Sequence, residues 1–113
     1  VNSRKNLSIL TLTTVTRLLF SPSDPFQCIG VEVGQKQGPG AQRWDIFATN
    51  DVVVSMGAFG SPQLLLASGI GAKEVLAKFK VPFVKEISGV GQGLKVCRFL
   101  RVALAKSLTE FRS

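Results

Sequence analysis

Alternation of apolar and polar side chains begins in residues 6–20, Asn6-Leu7-Ser8-Ile9-Leu10-Thr11-Leu12-Thr13-Thr14-Val15-Thr16-Arg17-Leu18-Leu19-Phe20, a run rich in β-branched and aliphatic types. It is clear at Leu10, Leu12 and Thr14 and breaks near Val15, so the pattern predicts two short strands with a kink or bulge at residues 11–14. Ser21-Pro22-Ser23-Asp24-Pro25 predicts a turn, because each of its residue types favours turn backbone for its own reason. Ile29, Val31 and Val33 then alternate with Gly30, Glu32 and Gly34, which predicts a half-buried strand over residues 28–34. Residues 43–49 alternate again, with Trp44, Ile46 and Ala48 on one face. The stretch between them, centred on Gly38-Pro39-Gly40, reads as the loop of an antiparallel hairpin.

The pattern changes at residues 51–56. Val52, Val53 and Val54 are apolar on both faces, as in a central parallel strand covered on both sides. A glycine turn follows at Gly57, and then a helix over residues 61–68. Ser61 is placed to cap it, Pro62 to occupy its first position, and Gly69 to end it in the left-handed conformation. A second, shorter helix is predicted over residues 72–80, where Val75, Leu76 and Phe79 share a face. Val81-Pro82-Phe83-Val84 reads as extended, and residues 88–93 as a glycine-rich turn. From Lys95 onward Leu100, Leu104, Leu108 and Phe111 fall at helical spacing, with Arg98, Arg101, Lys106 and Arg112 elsewhere on the wheel. This is a basic amphipathic helix that covers either its own core or an anionic partner.

Length allows one small domain, and a hydrophobic fraction of 45% in 113 residues allows a core. No run reaches the roughly 18–20 apolar residues that span a bilayer, and residues 1–20 lack the pattern of a signal peptide. A first residue of Val points to a processed or partial sequence. Net charge is +7, yet residues 1–94 carry nine Lys/Arg against six Asp/Glu and residues 95–113 carry five against one. The basic excess therefore describes the end of the chain and gives no expectation of nucleic-acid binding by the body. Cys28 and Cys97 lack metal-ligand spacing and read as free thiols, leaving the compartment open.

Catalytic side chains are scarce. With no histidine and no tyrosine, no Ser/His/Asp or Cys/His arrangement is possible, and no metal site is expected. The run Gly89-Val90-Gly91-Gln92-Gly93 lacks the third glycine of a dinucleotide fingerprint, because position 94 is Leu, and no acidic residue follows at the ribose distance.

Residues 57–71 carry a more specific signal. Gly57, Ala58, Ser61, Pro62, Leu64, Leu65, Ser68, Gly69, Ile70 and Gly71 meet every fixed position of the second signature of the glucose–methanol–choline (GMC) oxidoreductases. Asn6-Leu7-Ser8-Ile9-Leu10-Thr11 with Val15-Thr16-Arg17, Gly30-Val31-Glu32, Pro82-Phe83-Val84 and Gly89-Val90-Gly91-Gln92 resemble the flanking family segments in order and spacing, over roughly residues 4–94. The resemblance implies an α/β (α+β) fragment, part of a Rossmann-like FAD-binding domain with an antiparallel strand excursion and two or three short helices. It implies an oxidoreductase that takes a hydride from the CH–OH group of an alcohol, sugar or choline-like small molecule onto FAD. Val15 matches the residue whose main chain meets the adenine, and Gly57 and Ala58 match the turn beside the nucleotide.

Where the family continues Asn-Leu-x-Asp-His, this chain reads Gly93-Leu94-Lys95-Val96-Cys97. Resemblance, charge and composition all change there, so residues 95–113 are read as a divergent basic segment, as from a misread exon boundary or an altered frame. The family's pyrophosphate loop and catalytic-histidine region have no counterpart in these residues. The expectation is a chain that by itself neither oxidises an alcohol nor holds FAD tightly, with no catalytic residue of its own. A small basic α+β binding module using its C-terminal helix is the alternative, and a gene-model product that does not fold is a third.

Overall fold

A computed structural model describes residues 4–35 and 42–95. The β-branched run forms one strand rather than two, β1 at Thr13–Phe20, and residues 7–11 stay outside any strand. Leu12 precedes β1 with φ +56°, a left-handed turn that starts the strand late and leaves its side chain exposed. The predicted irregularity is real but displaced toward the strand's middle, between Val15 and Arg17.

β1 pairs antiparallel with β2 (Cys28–Gln35), and β2 pairs antiparallel with β3 (Arg43–Phe47), giving a three-stranded sheet in the order β1-β2-β3. The turn between β1 and β2 closes as its composition requires: Ser21 N–H donates to the Gln27 carbonyl at 2.9 Å, and Asp24 Oδ1 accepts the Phe26 N–H at 2.9 Å. The ladder contains two extra residues. Thr13 to Val15 pair with Gln35 to Val33, Arg17 to Leu19 pair with Glu32 to Gly30, and Phe20 pairs with Cys28. Thr16 is therefore extra on β1, and Ile29 is extra on β2.

Residues 51–56 form no strand among the described residues, and Val53 is 84% exposed. A segment becomes a strand only where another segment pairs with it, and no described segment pairs with this one. Instead the chain runs straight into helix α1, Gly57–Ala67, four residues earlier than capping chemistry predicts. Gly57 makes the entry at φ +80°, which glycine adopts without a steric penalty. Ser61 lies inside the helix and works backwards: its Oγ accepts the Met56 N–H at 3.0 Å, satisfying a donor that precedes the first turn. Pro62 is consequently interior, where it removes the bond that would reach the Ala58 carbonyl.

The helix ends as expected. Ser68 N–H donates to Leu64 O at 3.0 Å and Gly69 N–H to Leu66 O at 3.1 Å, with Gly69 at φ +86°. A Cβ at Gly69 would overlap the Pro82 carbonyl. That absence of a side chain lets residues 82–85 approach, so that Gly69 O accepts the N–H of Val84 at 2.9 Å and of Lys85 at 3.2 Å. The parallel pairing expected at residues 52–54 is found here, between β4 (Ile70–Gly71) and β5 (Lys85–Glu86), with α2 (Lys73–Lys78) crossing between them. Leu76 of α2 is buried, but Phe79 is 69% exposed, because α2 stops at Lys78 and Phe79 falls on its cap. Residues 88–91 form the expected turn. The loop centred on Gly38-Pro39-Gly40, Cys97 and the basic segment beyond it lie outside the described residues.

The buried apolar side chains among the described residues are Leu18, Val33, Leu64 and Leu76. They lie one on each of β1, β2, α1 and α2. α1 is fastened to β1 at its C-terminal end, where Ser68 Oγ accepts the Leu18 N–H at 2.8 Å and donates to Leu64 O at 2.6 Å.

Candidate functional site

Glu32 organises the chemistry of the sheet. It sits in mid-β2 at 8% exposure, and its carboxylate is held from both neighbouring strands. The Thr16 hydroxyl donates to Oε1 at 2.5 Å, with the Glu32 main-chain carbonyl 3.2 Å away. Arg17 Nη2 meets Oε2 at 2.9 Å, and Arg43 Nη1 of β3 meets Oε1 at 3.3 Å. The Thr16 hydrogen bond, aided by the two guanidinium groups, outweighs burial and holds the Glu32 carboxyl below its ordinary value. In a regular strand Thr16 and Arg17 would point to opposite faces. Both reach Glu32 because a bulge sets two residues of one strand against one of the other.

Hydrogen-bond phase shows what the bulge does to the main chain. Ala48 N–H donates to Ile29 O at 2.9 Å, continuing the β2–β3 ladder, so Ile29, Val31 and Val33 turn their backbone groups toward β3. Their partners on β1, Leu18 opposite Val31 and Val15 opposite Val33, therefore turn theirs away from β2. Leu18 demonstrates it directly through its N–H bond to Ser68. Val15, half-buried, directs its N–H and C=O to the same free edge, where no described backbone group bonds to them. An outward N–H beside an outward C=O complements an aromatic ring edge that carries one acceptor next to one donor, the arrangement of adenine's pairing edge.

The other two residues singled out from sequence lie elsewhere. Gly57 and Ala58 open α1, and both are exposed. A Cβ placed on Gly57 would meet nothing within 4 Å, so the backbone there is open to close approach by a ligand. The link between α1 and β1 is at Ser68, roughly 16 Å along the helix from this turn. Val15 and the Gly57–Ala58 pair thus sit on different elements, β1 and the start of α1. Ala58 also lines an apolar groove of about 720 Å³ between α1, α2 and the turn at residues 88–91, with Phe59, Leu66, Val75, Phe79 and Val90.

Sequence reasoning passed over Glu32 and Ser68. Glu32 read as the polar side of a half-buried strand, although the arginines on both flanking strands could have marked it. Ser68 read only as a signature position, and nothing local announces a contact with a residue fifty positions earlier. Among the described residues no group of three or more His, Cys, Asp or Glu could hold a metal ion, and no helix is long and apolar enough to cross a membrane. Cys28 forms no disulfide among the described residues.

Comparison with known proteins agrees with the signature at residues 57–71. The family model described as GMC oxidoreductase matches residues 1–97. Glucose dehydrogenase (FAD, quinone) of Drosophila pseudoobscura pseudoobscura is 44% identical over 91 residues, which are 80% of this chain and 14% of that protein. Mitochondrial choline dehydrogenase of Mus musculus is 40% identical over 95 residues, 84% of this chain and 15% of that one. A solved FAD-dependent oxidoreductase from Chaetomium thermophilum superposes with a TM-score of 0.70 at 29% identity, over 79% of this chain and 14% of its own. The chain thus spans about one seventh of the length of the relatives it matches. With its signature, its fold and its relatives in agreement, the chain belongs to the GMC oxidoreductase family, whose cofactor is FAD.

Proposed function

We propose that this chain is a piece of an FAD-dependent oxidoreductase acting on CH–OH donors, with residues 1–94 a part of its FAD-binding domain and residues 95–113 a divergent basic segment. The observation that carries this reading is the main chain of Val15, turned to the free edge of β1 with nothing described bonded to it. Val15 reads the adenine through its N–H and C=O, which any side chain permits. Gly57 and Ala58 let the nucleotide portion pass close to the start of α1. FAD supplies the hydride-accepting ring. The names of the two relatives put a sugar or choline-like small molecule foremost as donor.

Exposed apolar surface supports a piece rather than a whole. Leu12, Val53, Phe59 and Phe79 are each more than two-thirds exposed, and apolar faces of this kind are ordinarily covered. The 113 residues alone neither oxidise an alcohol nor keep FAD, since they have no histidine to take the hydroxyl proton and hold the cofactor at two loci only. Two measurements test this. The full-length protein, mixed anaerobically with choline, glucose and short alcohols, loses its flavin absorbance with at least one of them. Bleaching by none of the three sinks the donor class, and near-stoichiometric flavin on the purified 113-residue chain sinks the claim that it cannot hold the cofactor.

A further inference from the structure

Three observations on β1 need one another. Val15 and Leu18 both present their main chain to the edge of β1 that faces away from β2. They are three residues apart, and a regular strand alternates with a period of two, so an unbroken β1 would turn one of them inward. The extra residue Thr16 corrects the phase. Leu18 needs the outward direction to bond Ser68 and fasten α1. Val15 needs it to leave its N–H and C=O available. Thr16 alone has no reason to remain the extra residue, since a slip of one position would restore a regular ladder. Glu32 supplies the reason. Its carboxylate takes the Thr16 hydroxyl at 2.5 Å and the Arg17 guanidinium at 2.9 Å together. Only the bulged register lets two consecutive side chains reach one acceptor.

We propose that Glu32 is a positioning residue for FAD: by fixing Thr16 as the extra residue of β1, it sets the strand phase that aims the Val15 main chain at the adenine. This rests on the adenine role assigned to Val15, and it adds a buried carboxylate, on a different strand, that acts on the cofactor without touching it. Arg43, reaching Glu32 from β3, fixes the carboxylate from the other side.

The test reads base discrimination rather than activity. Apoprotein of the full-length enzyme is titrated with FAD and with the analogue in which hypoxanthine replaces adenine, following flavin fluorescence. Hypoxanthine exchanges the donor and acceptor on the pairing edge, so the wild type prefers FAD by about fivefold or more. Glu32→Gln and Thr16→Val bring that preference to within about twofold of unity, and Thr16→Ser, which keeps the hydroxyl, retains it. Val15→Pro removes the N–H on the free edge, a place where an edge strand tolerates proline, and it too abolishes the preference. If Val15→Pro loses discrimination while Glu32→Gln and Thr16→Val keep it, the positioning role is wrong and the adenine reading stands. If Glu32→Gln weakens both ligands equally, its part is structural only and the proposal fails. If Val15→Pro still prefers FAD, the adenine reading itself falls.

Discussion

Replacing Ser68 with alanine strands a single buried donor, and its cost can be worked from the bonds around it. The Ser68 hydroxyl makes two, accepting from Leu18 N–H at 2.8 Å and donating to Leu64 O at 2.6 Å. In Ser68→Ala the Leu64 carbonyl keeps a partner, because the Ser68 main-chain N–H still reaches it at 3.0 Å. Leu18 keeps none. Its N–H faces away from β2, and the residue is buried at 8% exposure. The loss is then that of one unsatisfied buried donor, about 1–3 kcal/mol, rather than of two bonds. The natural assay is amide exchange of peptides covering β1, where the Leu18 amide should exchange roughly 5–150 times faster. Ser68→Thr, which retains the acceptor, should remain near the wild type. Ser23→Ala, at an exposed hydroxyl in the β1–β2 turn, should leave β1 unchanged. Unaltered exchange of Leu18 in Ser68→Ala would refute the claim that this hydroxyl fastens α1 to the sheet.

Glu32→Gln should lower stability at neutral pH by about 1 kcal/mol, since charge-assisted bonds are lost while both arginines remain largely solvated. The folded carboxyl titrates below its ordinary value of 4.5, so its contribution is fully present above that pH and is lost as pH falls through the folded value. Urea midpoints of wild type and Glu32→Gln should therefore stay a constant distance apart from pH 6 to 8 and converge below about pH 4.5. A gap that widens in acid would reverse the sign of the argument. Gly69→Ala should cost at least about 1–3 kcal/mol, because alanine is strained at φ +86° and its Cβ meets the Pro82 carbonyl. Thermal melts check it, and a melting temperature equal to the wild type's would contradict the close approach of residues 82–85.

The antiparallel hairpin was legible because its information is local: alternation at Ile29, Val31 and Val33, and again at Trp44 and Ile46, states both strands, but it misplaces burial, since Glu32 is buried and Trp44 is exposed. The end of α1 was legible for the same reason, since a glycine at φ +86° needs only its neighbours to be understood. The start of α1 was not. Ser61 and Pro62 make an ordinary opening motif, and only the fold shows Ser61 reaching back to Met56 from inside the helix. Val52 to Val54 were misread because a strand is a relation between segments, and their composition cannot say whether a partner lies alongside. At the candidate site, the signature at Gly57 identified the family. The carboxylate that holds Thr16 lies sixteen residues further on, at Glu32, and the backbone phase of Val15 appears only when the ladders are counted from Ala48 inward.

The two surplus residues of the hairpin, Thr16 and Ile29, cancel. Partner numbers across β1 and β2 add to 48 before Thr16, to 49 between the two bulges, and to 48 again at Phe20–Cys28. The shift is thus confined to one short interval, and the turn at residues 21–27 closes in the register it would have had in a plain ladder. For anyone grafting or trimming this protein the hairpin therefore divides in two. Its tip beyond Phe20 and Cys28 can be exchanged for another closure of equal length, while one residue added or removed within Arg17–Leu19 or Gly30–Glu32 would leave an uncompensated shift that runs to the end of the strand.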